Sequence, residues 1–255
     1  MPAMKLYQQE NDEIIARTQL RDPFFRQLSQ LIFSEVKRSW TGRILDMGCG
    51  AGRNLILAAN MGYAPVGVDS SPESLRVARK AVKERGLASV VTLINKDLTK
   101  LRKGELGKFD YVILQEIIEH VPNWQKLIDY AYSALVPGGK ILITTPHDPG
   151  QWNHFDEYAG HIRRYRVNEV RDALKKFRLV KVYTYGFPVH RTAQHLYLLL
   201  LRLKNRPHEA KTFRQNALFH FLYYYIGSTL IKFDLLFRFL NRGTTVVAVG
   251  EKPCR

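Results

Sequence analysis

Asp46-Met47-Gly48-Cys49-Gly50-Ala51-Gly52 constrains this chain more than any other stretch. Arg43-Ile44-Leu45 before it reads as a short buried strand. Arg53-Asn54-Leu55-Ile56-Leu57-Ala58-Ala59 after it reads as a helix with an apolar stripe. The turn between them has a glycine at every second position. Such a turn lets a ligand approach bare backbone and aims a helix N-terminus at it.

A dinucleotide site places N–H groups and positive potential at the pyrophosphate, with the spacing G-x-G-x-x-G. Here the spacing is G-x-G-x-G, and an acid, Asp46, stands at the strand end. That carboxylate argues against a phosphate and suits a ligand with an amino group and a positive centre. S-adenosylmethionine carries both. The plainer alternative is a glycine turn in an ordinary α/β protein.

The 255 residues admit one large α/β domain, or one domain plus an insertion. Two cysteines, Cys49 in the turn and Cys254 at the penultimate position, make no disulfide framework, so a reducing compartment is the default. Glu10, Asp12 and Glu13 come early and no apolar run precedes them. No signal peptide is expected, and the location expected is cytoplasmic, with or without membrane association. The net charge of +16 is uneven: residues 161–255 hold 19 Lys/Arg against 5 Asp/Glu. The basic half should face nucleic acid, a phospholipid surface or a phosphorylated substrate, unless it is simply a soluble basic surface.

Residues 5–39 read as helical, with Asp22-Pro23 as a helix start and Phe24, Leu28, Leu31, Ile32 and Val36 at helical spacing. This helix either lids the ligand pocket or packs plainly on the core. Strands follow at Ile44–Met47, Ala64–Asp69, Val90–Asn95, Phe109–Leu114 and Lys140–Thr145. A turn is expected at Pro137-Gly138-Gly139, and a helix from Ser71-Pro72 to Gly86. Asp69 ends the second strand, 19 positions after Gly50, where an acid can accept hydrogen bonds from both hydroxyls of a ribose. Asp97, beside Leu98, could accept from an adenine amino group. Strands alternating with helices predict an α/β fold with a doubly wound parallel sheet. His147 to Arg166 has no clear period and reads as a functional loop. A helix over Asn168–Phe177, a strand over Arg178–Tyr185 and a last strand over Thr244–Val249 complete the pattern.

Leu45-Asp46-Met47-Gly48-Cys49-Gly50-Ala51-Gly52, Val68-Asp69, Phe109-Asp110-Tyr111-Val112 and Leu135-Val136-Pro137-Gly138-Gly139 stand in one order. Together they resemble a class I S-adenosylmethionine-dependent methyltransferase over residues 40–185 and the last strand. The resemblance implies a Rossmann-like, seven-stranded, mostly parallel sheet with an antiparallel last hairpin. It implies cofactor contacts at Asp46, Gly48, Gly50, Gly52, Asp69, Ser70, Asp97, Leu98 and Gln115. The domains expected are an N-terminal helical lid over 1–40, the cofactor-binding domain over 41–186 and 244–255, and a helical insertion over 187–243 before the last strand.

Gln115-Glu116-Ile117-Ile118-Glu119-His120-Val121-Pro122 carries E-x-x-E-H. This is similar to the motif after strand four in ubiquinone-pathway O-methyltransferases and small-RNA terminal 2′-O-methyltransferases. The resemblance implies a divalent metal, Mg²⁺ or Mn²⁺, at Glu116, Glu119, His120 and a later histidine, here His161. Residues at i, i+3 and i+4 would share one face of a helical turn, kept short by Pro122. A metal there could lower the pKa of an acceptor hydroxyl. Two other readings stay open: a metal-free general base at His120 with Glu116 turned to the cofactor's methionine end, or a helix-start residue without chemistry.

Leu196–Leu201 and Ala217–Leu240 are strongly apolar but broken by Lys232, Asp234 and Arg238, so neither spans a bilayer cleanly. Tyrosines with flanking cations suit an anionic membrane interface; a helical cap over the pocket or a dimer surface fits equally. Three functions are therefore weighed. The first is O-methylation of a hydrophobic or lipid-linked hydroxylated small molecule, with Arg163 and Arg164 meeting an anionic group on it. The second is RNA methylation along the basic half, which leaves the aromatic insertion unexplained. The third is a non-catalytic, cofactor-binding partner subunit.

Overall fold

The computed structural model describes residues 20, 22–38, 41–203 and 227–254. Its elements in chain order are α1 (Pro23–Phe33), β1 (Arg43–Met47), α2 (Arg53–Asn60), β2 (Ala64–Asp69), α3 (Pro72–Lys83), β3 (Thr92–Asn95), β4 (Phe109–Gln115), α4 (Gln125–Ala134), β5 (Leu135–Pro146), α5 (His154–Ala159), α6 (Val167–Ala173), β6 (Arg178–Tyr185), α7 (Val189–Leu203) and β7 (Thr245–Glu251). Short 3-10 turns add Leu98–Lys100, Ile118–His120 and Pro149–Gln151. A helical turn, Ser228–Leu230, and a ten-residue 3-10 segment, Ile231–Leu240, precede β7.

One seven-stranded sheet runs β3-β2-β1-β4-β5-β7-β6. Pairs from β3 to β5 are parallel, and β7 runs antiparallel between β5 and β6. Side chains alternate across the sheet, as strand pleating requires. Leu45, Val112, Leu114, Ile141, Ile143, Val246 and Ala248 face α4 and α6. Ile44, Tyr111, Ile113, Leu142, Val247 and Val249 face α1 and Ile231.

Helix α1 starts where Asp22 caps it, accepting from the Phe24 and Phe25 amides at 2.9 and 3.3 Å. Phe24, Leu28, Leu31 and Ile32 are buried in the sheet's core, so this helix packs on it. Residues 5–19 of the expected long helix, and the apolar stretch 217–226, lie outside the described residues.

Three local expectations differ. The Pro137-Gly138-Gly139 turn is an excursion inside β5, not a break before it. Leu135 pairs with Phe109 and Lys140 with Tyr111, so Val136–Gly139 loop out against Asp110 alone. The expected loop over 147–166 contains α5. Its capping box joins Asn153 and Asp156, and it ends at Gly160 in the left-handed region; six residues are too few to show a period. Helix α6 stops at Ala173 rather than Phe177.

Candidate active site

The carboxyl ends of β1, β2 and β4 meet at one edge, the place where open α/β sheets hold ligands. Gly48, Gly50 and Gly52 all have positive φ. At Gly48 (φ +80) a Cβ would come within 2.5 Å of Ile117 Cδ1, so conformation and space both demand glycine. The same contact sets the E-x-x-E-H segment directly against the glycine turn.

Asp69 braces that turn. Its Oδ2 accepts from the Gly50 amide at 2.8 Å and its Oδ1 from the Ser71 amide at 2.9 Å. Burial raises its pKa, opposed by the amides of Ser71, Gly50 and Ser70. Each oxygen keeps a lone pair for a further donor. Asp46 is 1% exposed, and its Oδ2 has no hydrogen-bond partner. Burial pushes it up to about 7. An unmet buried acceptor beside a helix N-terminus fits the ammonium group of S-adenosylmethionine.

The remaining residues of the cofactor set differ in setting. Ser70 is exposed and Leu98 is buried in the core. Asp97 caps the Leu98–Lys100 turn, accepting from the Thr99 amide (2.9 Å) and hydroxyl (2.7 Å), which holds its pKa low. Gln115 turns toward α1: its Oε1 accepts from the Ser29 hydroxyl at 3.0 Å, and its Nε2 donates to the Phe25 carbonyl at 3.4 Å. Sequence reading passed over Arg53, which directly follows the glycine turn. Its Nε donates to Ser29 at 3.1 Å and its guanidinium lies over Phe25. Burial lowers it to about 10, opposed by Asp22, Asp46 and Glu116.

On the acceptor side, Glu119, His120 and His161 converge. One ligand atom from each lies within 4.8 Å of the others. The two imidazole rings are 4.9 Å apart. His120 Nδ1–H donates to the Gly160 carbonyl at 3.2 Å, leaving Nε2 as the free nitrogen. Burial depresses its pKa to about 4, helped by His161, so it is a neutral imidazole at neutral pH. His161 Nδ1–H donates to Asp156 Oδ1 at 2.9 Å, and its Nε2 faces Glu119 Oε1 at 3.9 Å. Glu119 is fully buried; Oε2 accepts from the Thr145 hydroxyl at 3.0 Å and Oε1 has no hydrogen bond. Burial, then the charge of Glu116, pushes it well above the carboxylate range. Two imidazoles beside a buried, unsatisfied carboxylate form a donor set that fits a divalent cation.

Glu116 stands outside that group, which corrects the expected shared helical face. It takes φ +52 at the end of β4, and the 3-10 turn begins only at Ile118, so the i, i+3, i+4 face never forms. Its Oε1 is buried without a hydrogen bond. Burial raises it, opposed by the Thr144 hydroxyl, His161, Arg164 and Arg53. Arg164 is likewise engaged internally rather than offered to a substrate, whereas Arg163 keeps a partly exposed side chain. Arg164 is 5% exposed and donates to Asp156 at 2.8 Å and to the His147 carbonyl at 3.1 Å. Arg163 pairs with Glu169 at 2.6 Å and lies over Tyr165. Asp156, which holds both His161 and Arg164, escaped sequence reading. Burial would raise it, but those hydrogen bonds leave it below the usual range. Its only signal was the Asn153/Asp156 capping spacing.

A family model described as a methyltransferase domain matches residues 19–183. The chain belongs to that family. Within it the chain is a class I, S-adenosylmethionine-dependent methyltransferase. It is 35% identical over 103 residues to the ubiquinone biosynthesis O-methyltransferase of Xanthomonas axonopodis pv. citri, 40% of this chain and 42% of that protein. It is 30% identical over 157 residues to phosphoethanolamine N-methyltransferase 2 of Caenorhabditis elegans, 60% of this chain and 35% of the relative. The methyltransferase thus matches less than half the length of these curated relatives. The fold matches Haemonchus contortus phosphoethanolamine N-methyltransferase 2, solved with phosphomonomethylethanolamine and S-adenosylhomocysteine. That likeness has TM-score 0.63 and 22% identity, over 98% of this chain and 59% of the other.

Proposed function

We propose that this methyltransferase moves the methyl group of S-adenosylmethionine to a hydroxyl of a hydrophobic or lipid-linked small molecule. The observation that carries the reading is the convergence of Glu119, His120 and His161 beside the glycine turn. Asp46 holds the cofactor's ammonium and Asp69 its ribose. The acceptor oxygen attacks the methyl carbon, the carbon–sulfur bond breaks, and S-adenosylhomocysteine leaves. In the metal-free site the hydroxyl proton passes to His120 Nε2, whose neutral state suits a base; were Nε2 bound to a cation instead, that proton would pass to solvent. Glu119, His120 and His161 would hold Mg²⁺ or Mn²⁺, which supplies Lewis acidity to the acceptor hydroxyl. Asp156 fixes the His161 tautomer with Nε2 inward. The partial identity to a ubiquinone-pathway O-methyltransferase supports the oxygen acceptor.

Labelled S-adenosylmethionine offered to fractionated lipid, small-molecule and RNA extracts tests the acceptor class. Label is expected in hydroxylated lipophilic molecules; label in RNA would overturn the reading. With the acceptor in hand, a chelator should abolish turnover and Mg²⁺ or Mn²⁺ should restore it. Full turnover in excess chelator would leave His120 as a metal-free base.

A further inference from the structure

The segment before β7 is a 3-10 helix for ten residues, Ile231–Leu240, far longer than the usual three or four. With three residues per turn, positions i and i+3 eclipse, so the segment carries straight rows rather than a spiralling stripe. One row starts buried, with Ile231 2% exposed and Asp234 fully buried, and emerges through half-buried Phe237 to Leu240, 40% exposed. Another row is Phe233, Leu236 and Phe239, exposed by 52, 63 and 73%, and Leu230, 50% exposed, leads into it from the helical turn Ser228–Leu230. In an α-helix Phe233, Leu236 and Phe239 would drift by roughly 60° per step, and the last would stand roughly 120° from the first. The 3-10 geometry instead sets these three on one solvent-facing ridge, with Leu230 just before it.

The ridge is held firmly. Asp234 accepts from the Val189 and His190 amides at 2.7 and 3.0 Å, which caps α7 from the opposite segment. The Tyr185 hydroxyl donates to the Ile231 carbonyl at 2.6 Å. The adjoining α7 exposes Leu196 and Leu199 as well. The exposed charge on these two segments, among the described residues, has one sign; Glu35, beside the Tyr183 ring that Arg238 covers, is paired with Lys181 and Lys140. Lys232 and Arg238 flank the ridge, and Arg191, donating to the Arg242 carbonyl at 2.9 Å, lies with Arg242 past its C-terminal end. Among the described residues 189–203 and 227–242, Asp234 is the sole acid, and it is buried.

We infer that this ridge docks the protein onto an anionic phospholipid surface, with the apolar row entering the headgroup boundary and the cations on phosphates. Three large apolar side chains in line with Leu230 before them, flanked by cations and with no exposed acid among the described residues of these segments, match the chemistry of an interfacial anchor. No described helix is long and apolar enough to cross a membrane, so the ridge lies on the surface and does not span it. A second copy of the chain is the weaker occupant, because a two-fold interface here would set cations against cations. The inference rests on the fold and its charge, not on the proposed acceptor.

Vesicle sedimentation with the full chain tests it. Vesicles of phosphatidylcholine mixed with phosphatidylglycerol should bind the protein roughly tenfold or more tighter than phosphatidylcholine alone, and salt should weaken the binding. The triple variant Phe233→Ser, Leu236→Ser, Phe239→Ser should lose that binding by roughly tenfold or more. The pair Lys232→Glu, Arg238→Glu should erase the preference for anionic vesicles. Calorimetric S-adenosylhomocysteine affinity should stay unchanged in both, which shows that the variants fold and separates this result from the active-site reading. No binding to either vesicle, or undiminished binding by the triple variant, overturns the inference. So does a dimer in light scattering that the triple variant dissolves while vesicles stay unbound.

Discussion

The cofactor half and the acceptor half of the sheet's edge are built in opposite ways. The cofactor half is made largely of backbone: three glycines with positive φ, amides donating to Asp69, and one buried acid, all within residues 46–71. The acceptor half is made of side chains from separate stretches. Glu119 and His120 come from the turn after β4, Thr145 and His147 from the end of β5, and Asp156, His161 and Arg164 from α5 and beyond. A common cofactor can be met by local, repeated geometry. An acceptor must be met by groups that only the folded sheet brings together.

The sharpest way to break this comparison is to remove His120. Its Nε2 is the neutral acceptor of the site, so His120→Ala should lower turnover by about 10²–10⁴-fold, the usual range for a positioned acid–base group. Cofactor affinity, measured by calorimetry, should not move. A variant that loses S-adenosylmethionine binding along with turnover would mean the halves are not separate.

Asp156→Ala should rank next. It leaves Arg164 buried and unpaired and His161 without its Nδ1 acceptor. Breaking one side of a buried pair costs about 3–5 kcal/mol, readable in urea unfolding. Asp156→Asn, which keeps an acceptor, should recover part of the stability. If both variants unfold at the parent midpoint, Asp156 does not organise the acceptor half.

Asp69→Ala acts on the other half with a smaller effect. Charge-assisted hydrogen bonds contribute about 1.5–3 kcal/mol each, so losing the ribose acceptor should weaken the cofactor by roughly ten- to a hundredfold. The Gly50 amide also loses its partner. Unchanged calorimetric affinity would remove Asp69 from the ribose.

The contrast also explains what the sequence could disclose. Strand ends, the glycine turn and the order of the sheet follow from local patterns, and those residues lie close together in the chain. The pairing of His120 with His161 was reached through a resemblance, because 41 positions separate them and no periodicity links them. Asp156 stayed hidden: it stands on a helix of six residues, and its partner Arg164 read as an open cation. The helical face expected to carry Glu116 does not form, and the positive φ behind this, at a non-glycine residue, leaves no mark in sequence. The apolar composition of 217–240 was plain, but whether its residues spiral or align depends on 3-10 against α geometry, which composition does not encode.

Asp46 offers the smallest effect and the finest test of the cofactor half. Burial lifts its folded pKa from 3.8 to about 7, above the value in the unfolded chain. The folded apo state therefore holds a proton there that the unfolded state has already lost. Between these two values apo stability from this group declines as pH rises, and the full cost is present above the upper one. The cofactor's ammonium needs the carboxylate form, so below pH 7 binding must expel the proton. Affinity should then fall with acidity, approaching about tenfold per pH unit, while the α-amino group stays protonated below about pH 7.5. Asp46→Asn should flatten the profile at a weaker plateau, since it removes both the charge and the proton. Calorimetry in two buffers of different ionisation enthalpy reads the proton release directly. A parent profile already flat from about pH 5.5 to 7.5 would place the ammonium elsewhere and leave Asp46 a buried carboxyl with no part in binding.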